Sequence, residues 1–245
     1  MYFLRHLLVS LQLSIVQTLL PGSNLHMDRS LIGQGFHRDL NTYIVLDKDL
    51  RGLYTSPECS LLLIETLPAG VYADPFQLSS MVPFGGPKIR LDGAVNIEAA
   101  EFMSKSHELY IFVNVNLYAV DTMTEQTVIN ISFPIHARYH KPSSDPNVSH
   151  STVTIFHPSL YSNCSKSDAG SFLSAPCDVS SNLLCRWEQL SYICSAAPLE
   201  LMIPVGMARD KPIVILVTLL VTATICSLLI KFIWESDSQT CKKHS

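Results

Sequence analysis

Short apolar runs separated by turns bearing proline and glycine fill most of this chain, and their period is that of a strand rather than a helix. Residues 41–50 are β-rich and partly alternating, with Tyr43 and Val45 on one face. Residues 58–67 contain Leu61-Leu62-Leu63-Ile64, a run that suits a strand buried on both faces. Residues 108–120 carry Tyr110, Phe112, Val113, Val115, Leu117 and Tyr118. Over 127–136, Val128, Asn130 and Ser132 alternate with Ile129, Ile131, Phe133 and Ile135. Residues 151–156 and 199–205 are shorter strands of the same kind. Turn signals punctuate them at Pro57, Pro68-Ala69-Gly70, 83–87, 142–146 and Pro176. Only 97–105 suggests a short helix. The pattern predicts a mainly β fold, a sandwich-like domain of antiparallel sheets.

The two ends read differently. Residues 213–230 hold no charge, and after Lys231 the apolar run resumes as Phe232-Ile233-Trp234. At 1.5 Å per residue, about 20 such residues cross a bilayer, so 212–234 is expected to be a transmembrane helix. The tail, 235–245, ends in Lys242-Lys243-His244-Ser245. That Lys-Lys-x-x ending resembles the dilysine address by which the COPI coat returns proteins to the endoplasmic reticulum (ER), a signal read by a receptor and not an anchor. At the other end, Arg5 and His6 precede a mostly apolar stretch over 7–20, and Pro21-Gly22-Ser23 follows. Residues 1–22 therefore read as a signal peptide, with an uncleaved N-terminal anchor as the alternative. Basic residues flank the second span two against three, Arg209 and Lys211 before it, Lys231, Lys242 and Lys243 within and after it. This leans toward a cytosolic tail. The expected arrangement is type I and single-pass in the ER membrane, with 23–211 as a lumenal domain.

Composition narrows the function. A net charge of -4 leaves no basic footprint for nucleic acid. Five cysteines fall in the expected lumenal part, Cys59, Cys164, Cys177, Cys185 and Cys194, where an oxidising compartment favours disulfides. Five is odd, so one thiol is left over, and the pairing stays open among fifteen two-bridge arrangements. Four of the five lie between 164 and 194, which suggests a loop-rich, locally stapled segment. Their spacings do not suit zinc. Three glycosylation sequons start at Asn130, Asn147 and Asn163; Asn147 sits in the most loop-like surroundings and Asn163 has a cysteine at its middle position. His136, His140, His150 and His157 are scattered, and no nucleophile elbow, zincin helix, Walker loop or dinucleotide fingerprint is present. No catalytic residue, metal ligand or cofactor site is expected, and the domain reads as non-catalytic.

Several blocks are more specific. Gly35-Phe36-His37-Arg38-Asp39-Leu40 and Leu67-Pro68-Ala69-Gly70-Val71-Tyr72-Ala73-Asp74-Pro75 resemble the PIG-X family. The resemblance continues through Asn96-Ile97-Glu98-Ala99, Ser104-Lys105-Ser106 and the string from Pro134 to Pro142, then Pro176-Cys177, Cys185-Arg186-Trp187 and Ile203-Pro204-Val205-Gly206. It implies a non-catalytic subunit of glycosylphosphatidylinositol (GPI) mannosyltransferase I. In that reading the chain stabilises a catalytic PIG-M subunit, which moves the first mannose from dolichol-phosphate-mannose to the GPI precursor. A broader ER-lumenal chaperone for multi-span proteins is the alternative.

Partner contact is expected at His37, Arg38, Asp39, Tyr72, Arg138 and Tyr139, with a local Arg-Asp pair as the competing use of Arg38 and Asp39. Pro68 fixes φ and Gly70 permits a positive φ, so Pro68-Ala69-Gly70 is expected to make a rigid corner from which Tyr72 and Phe76 project. Pro75 should hold Asp74 extended. Pro204-Val205-Gly206 would fix the domain's tilt on the bilayer. Within the span, Thr218 and Thr222 share a face suited to helix packing, unless their hydroxyls bond to their own helix.

Overall fold

The computed structural model describes residues 25–47, 59–115, 126–164, 171–194 and 197–243, with side chains up to Trp234. The expected leader at 1–22, the far ends of the strands expected at 41–50 and 108–120, and the side chains of Lys242 and Lys243 lie outside the described residues.

The fold is mainly β, as the alternation predicts. The strands are β1 (Leu25–Ile32), β2 (His37–Leu46), β3 (Leu61–Leu67), β4 (Val71–Tyr72), β5 (Lys88–Leu91), β6 (His107–Val113) and β7 (Thr127–Ala137). After them come β8 (His150–Ile155), β9 (Ser159–Ser162), β10 (Phe172–Pro176), β11 (Leu184–Leu190), β12 (Ile193–Cys194) and β13 (Leu199–Pro204). Helix α1 (Pro75–Met81) follows β4, and α2 (Lys211–Lys243) follows β13. One sheet has the order β12-β1-β2-β7-β4, a second β10-β11-β9-β3-β6-β5, and β8 and β13 form a separate ladder.

The side-chain period of two decides what each strand buries. β2 and β7 pair antiparallel from His37 opposite His136 to Leu46 opposite Thr127. Leu40, Ile44 and Leu46 thereby share the inner face with Ile129, Ile131 and Phe133, all at most 2% exposed. Across the core, Leu61, Leu63 and Leu67 of β3 lie on the inner face of the second sheet with Leu109, Ile111 and Val113 of β6. The other face of β3 is buried too. Leu62 and Ile64 form a second cluster with Ala175 and Trp187, closed over by Phe112, Tyr161 and Leu173. Each fully buried leucine contributes about 2 kcal/mol, so β3 is a major source of stability. Its unbroken apolar run is explained by burial on both faces.

Two disulfides are formed among the described residues. Cys59–Cys164 joins the approach to β3 with the end of β9 across 105 residues, and Cys177–Cys185 staples the β10–β11 hairpin across 8. In the chain-entropy picture the long loop contributes about 4.7 kcal/mol and the short one about 2.5 kcal/mol. The expected local staple is present as Cys177–Cys185, but the expectation of a loop-rich segment closed on itself is corrected. Cys164 reaches far back in the chain, and the segment carries β10, β11 and β12. The expected helix at 97–105 is also corrected: it is a single 3-10 turn, Glu101–Met103. A true helix, α1, forms earlier, where Asp74 is extended (φ -79°, ψ 116°) and its carboxylate accepts from the Phe76 N–H as an N-cap.

Two compact units divide the chain. The first runs up to Arg138 and resumes at Thr152–Leu201; the second is Tyr139–Ser151 with the segment from Met202 onward. In the second, the 139–151 loop is clipped to the segment leading into α2. The Ser143 N–H donates to Gly206 O at 2.8 Å, Ala208 N–H to Ser143 O at 2.9 Å, and Val205 N–H to Ser149 O at 2.9 Å. The most apolar 18-residue window within Ala208–Trp234 has mean hydropathy 2.8, and the helix is long enough to cross a membrane. The helix satisfies its backbone groups internally, as hydrocarbon requires.

Candidate functional site

Parts of four sequence blocks that lie far apart along the chain, His37, Tyr72, 96–99 and 136–138, meet at one end of the first unit. On the outer face of the first sheet, register sets His136 of β7 opposite both His37 of β2 and Tyr72 of β4. The His37 and His136 rings meet edge to face at 4.8 Å, and Tyr72 stacks on His136 at 5.2 Å. His136 Nε2 lies 2.8 Å from Gln77 Oε1 of α1. Burial and the neighbouring His37 hold the His136 pKa below its ordinary value, with Asp74 opposing. The imidazole is thus kept neutral, and with a proton on Nε2 it donates to the glutamine carbonyl.

Arg138, one residue past β7, joins the parts. Its guanidinium lies 4.5 Å from the centre of the Tyr72 ring, and its Nη1 donates to Asn96 O at 2.7 Å and to Ala99 O at 2.6 Å. Its backbone N–H donates to Gly70 O at 2.8 Å. A planar fork suits this combination of stacking and two carbonyl contacts, which a lysine ammonium would not reproduce. At 4% exposure, Arg138 is a structural keystone of this end of the unit.

The Pro68 corner is real: Val71 N–H donates to Pro68 O at 3.1 Å. Gly70, however, is not among the positive-φ glycines of the described residues, which are Gly33, Gly35, Gly85 and Gly93. Its part is the carbonyl that Arg138 reads. The two aromatics of this corner differ. Phe76 is 76% exposed on α1, while Tyr72 is clasped between Arg138 and His136.

The remaining residues fall out as follows. Arg38 neither pairs with Asp39 nor forms an open patch, because its Nε and Nη1 donate to Gly35 O and Gly33 O and brace the β1–β2 turn. Asp39 sits mid-register between Ile32 and Pro134. Tyr139 is 76% exposed in the second unit. Thr222 Oγ1 donates to Thr218 O at 2.8 Å, so this hydroxyl is satisfied within its own helix. Asn130 and Asn147 are exposed, whereas Asn163 Oδ1 accepts from the Ser60 N–H at 2.7 Å beside the Cys59–Cys164 bond. Cys194 stands outside both disulfides with its Sγ 3.5 Å from His157 Nδ1.

Gln77 and His107 belong to this end of the molecule and were not picked out from the sequence. His107 opens β6 opposite Leu67 and lines a cavity with Arg138, Asn96 and Lys105. The blocks 96–99 and 104–106 carried a signal for it, but only register and the fork of Arg138 bring them together.

The PIG-X / PBN1 family profile matches residues 33–234. The chain is 28% identical over 215 residues to a human protein named "GPI alpha-1,4-mannosyltransferase I, stabilizing subunit", covering 85% of this chain and 79% of that one. Rat and mouse proteins of the same name are 26% and 27% identical, covering 81% and 80% of their lengths. No solved structure matches the chain. With that profile spanning most of its length, this chain belongs to the PIG-X / PBN1 family.

Proposed function

We propose that this chain is the non-catalytic, stabilising subunit of GPI mannosyltransferase I. The carrying observation is that relatives of that name align over 85% of this chain and about four-fifths of their own length. The head lies in the ER lumen, the span at 212–234 anchors it, and the tail bearing Lys242 and Lys243 faces the cytosol and engages the COPI coat. The catalytic partner is a PIG-M-like mannosyltransferase, which this chain holds in its active fold. The same name favours this reading over a general chaperone for multi-span proteins.

The physical basis is a rigid head. Its core carries two disulfides and a two-sided strand, so the entropy of ordering is met within the chain. A preorganised surface binds a partner at lower cost than a flexible one. The exposed Phe76 of the first unit suits such a surface, since aromatic anchors dominate interface energetics. The helix adds small and hydroxylated positions at Thr218 and Thr222 that permit close packing in the bilayer. The test is purification of the tagged full chain in mild detergent. The mannosyltransferase subunit should be recovered with it, together with transfer of mannose to glucosaminyl-phosphatidylinositol. Recovery of many unrelated multi-span proteins in similar amounts would favour the chaperone.

A further inference from the structure

A cavity of about 340 Å³ opens beside Arg138, between the end of β7 and the start of β6. Its wall carries two cations, Lys105 and Arg138, against one carboxylate, Asp92. Lys105 is exposed at its mouth, and Met103, 75% exposed, stands on its rim. His107 supplies the third polar group. Its Nε2 is buried and has no hydrogen-bond partner among the described residues. Burial, followed by the charge of Arg138, holds the His107 pKa below its ordinary value, opposed by a hydrogen bond with the Lys105 backbone. With that bond made through Nδ1–H, Nε2 is a bare acceptor on a residue that lines the cavity with Lys105 and Arg138. A buried acceptor left without a donor is costly, and a ligand carrying one recovers that cost.

We propose that this cavity is a socket for an acidic loop of the catalytic membrane partner, whose carboxylate is received by Lys105 and Arg138 while a neighbouring backbone N–H donates to His107 Nε2. The proposal rests on the stabilising-subunit reading. A free phosphate or a lipid headgroup phosphate fits less well, because it offers oxygens to a site that also presents Asp92 and a bare Nε2. A peptide segment brings both signs of hydrogen-bonding group, and the apolar rim at Met103 suits its side chains. The fork of Arg138 sets the wall, since this lining residue holds Asn96 O and Ala99 O, and Asn96 and Ala99 line the socket with it.

The experiment uses the full chain co-expressed with the mannosyltransferase subunit. A photo-crosslinking amino acid replaces Met103, and Lys105→Glu and His107→Leu are compared with the unmodified chain, with thermal unfolding of each confirming a folded head. Expected are a crosslink from position 103 to a segment of the mannosyltransferase bearing Asp or Glu, and loss of that crosslink in K105E. Partner recovery should fall about tenfold in K105E and severalfold in H107L, and reversal of the crosslinked acid to lysine should restore it in K105E. Full recovery of the partner in both variants, or a crosslink to phospholipid instead, would overturn the socket while leaving the stabilising role standing. If the unmodified chain recovers no mannosyltransferase at all, the underlying reading falls and the socket falls with it.

Discussion

Arg29 of β1 and Glu65 of β3 meet at 2.6 Å across the interior of the sandwich, both side chains fully shielded from solvent. Arg29 Nη1 also donates to Phe156 O, while Arg29 Nε and Glu65 Oε1 have no partner among the described residues. A buried pair with unmatched atoms is a weak source of stability, because desolvation offsets most of the Coulombic gain. Replacing both residues, as Arg29→Met with Glu65→Leu, should leave the head as stable as before or raise its stability by about 1–4 kcal/mol. Chemical unfolding of the double variant measures this. A loss of several kcal/mol would show the pair to be a net stabiliser.

The same pair sets a pH dependence. Burial pushes the Glu65 pKa up from 4.5 to about 7, against the pull of the Arg29 charge and hydrogen bond. A raised carboxyl pKa gives stability that is fully present below about 4.5 and is lost as pH rises through about 7. His107 and His136, whose pKa values are lowered, act oppositely and destabilise the head as pH falls below about 6.5. Glu65→Gln isolates the carboxyl: the advantage of the native chain over this variant should shrink from pH 5 to pH 8. A difference that grows with pH would reverse the assignment.

Arg138→Lys should detach the 96–99 segment from its anchor. A single ammonium cannot hold Asn96 O and Ala99 O while lying flat on Tyr72. The expected loss is about 1.5–3 kcal/mol, the range for hydrogen bonds to charged groups. Hydrogen exchange should rise at residues 96–99 more than in β3. Uniform exchange across the head would contradict the local role.

The sequons should separate by side-chain use. Asn130 and Asn147 are exposed, so each change to Gln should remove one glycan and shift the chain's mobility on a gel. Asn163 accepts from the Ser60 N–H and its neighbour Cys164 is tied to Cys59, which together hold the sequon against the head, so Asn163→Gln should leave mobility unchanged and cost about 1 kcal/mol of stability. A mobility shift from Asn163→Gln would mean that the glycan is added before this contact forms.

What the sequence made legible follows from where the period is clean. β7 alternates because one face is buried, and β3 reads as continuous apolar sequence because both faces are. β1 is hidden because its inner face ends in a charge: Leu25, Met27 and Arg29 are buried at i, i+2 and i+4, but His26, Asp28 and Arg29 make the stretch look polar. Its partner Glu65 lies 36 residues away, and no local pattern connects them. The candidate site was legible as blocks and not as a place. His37, Tyr72 and His136 become neighbours only through the register of β2, β7 and β4. The cysteine pattern misled for the same reason, since proximity along the chain did not foretell that Cys164 pairs with Cys59.

The central claim is that this chain stabilises a catalytic partner and does not itself perform the transfer. Deleting it and quantifying the mannosyltransferase subunit by mass spectrometry, beside its transcript, tests this most directly. The account expects the partner protein to fall severalfold with its transcript unchanged, and surface GPI-anchored proteins to fall with it. A normal amount of partner that has lost mannosyl transfer would contradict it, because the missing chain would then be supplying part of the chemistry.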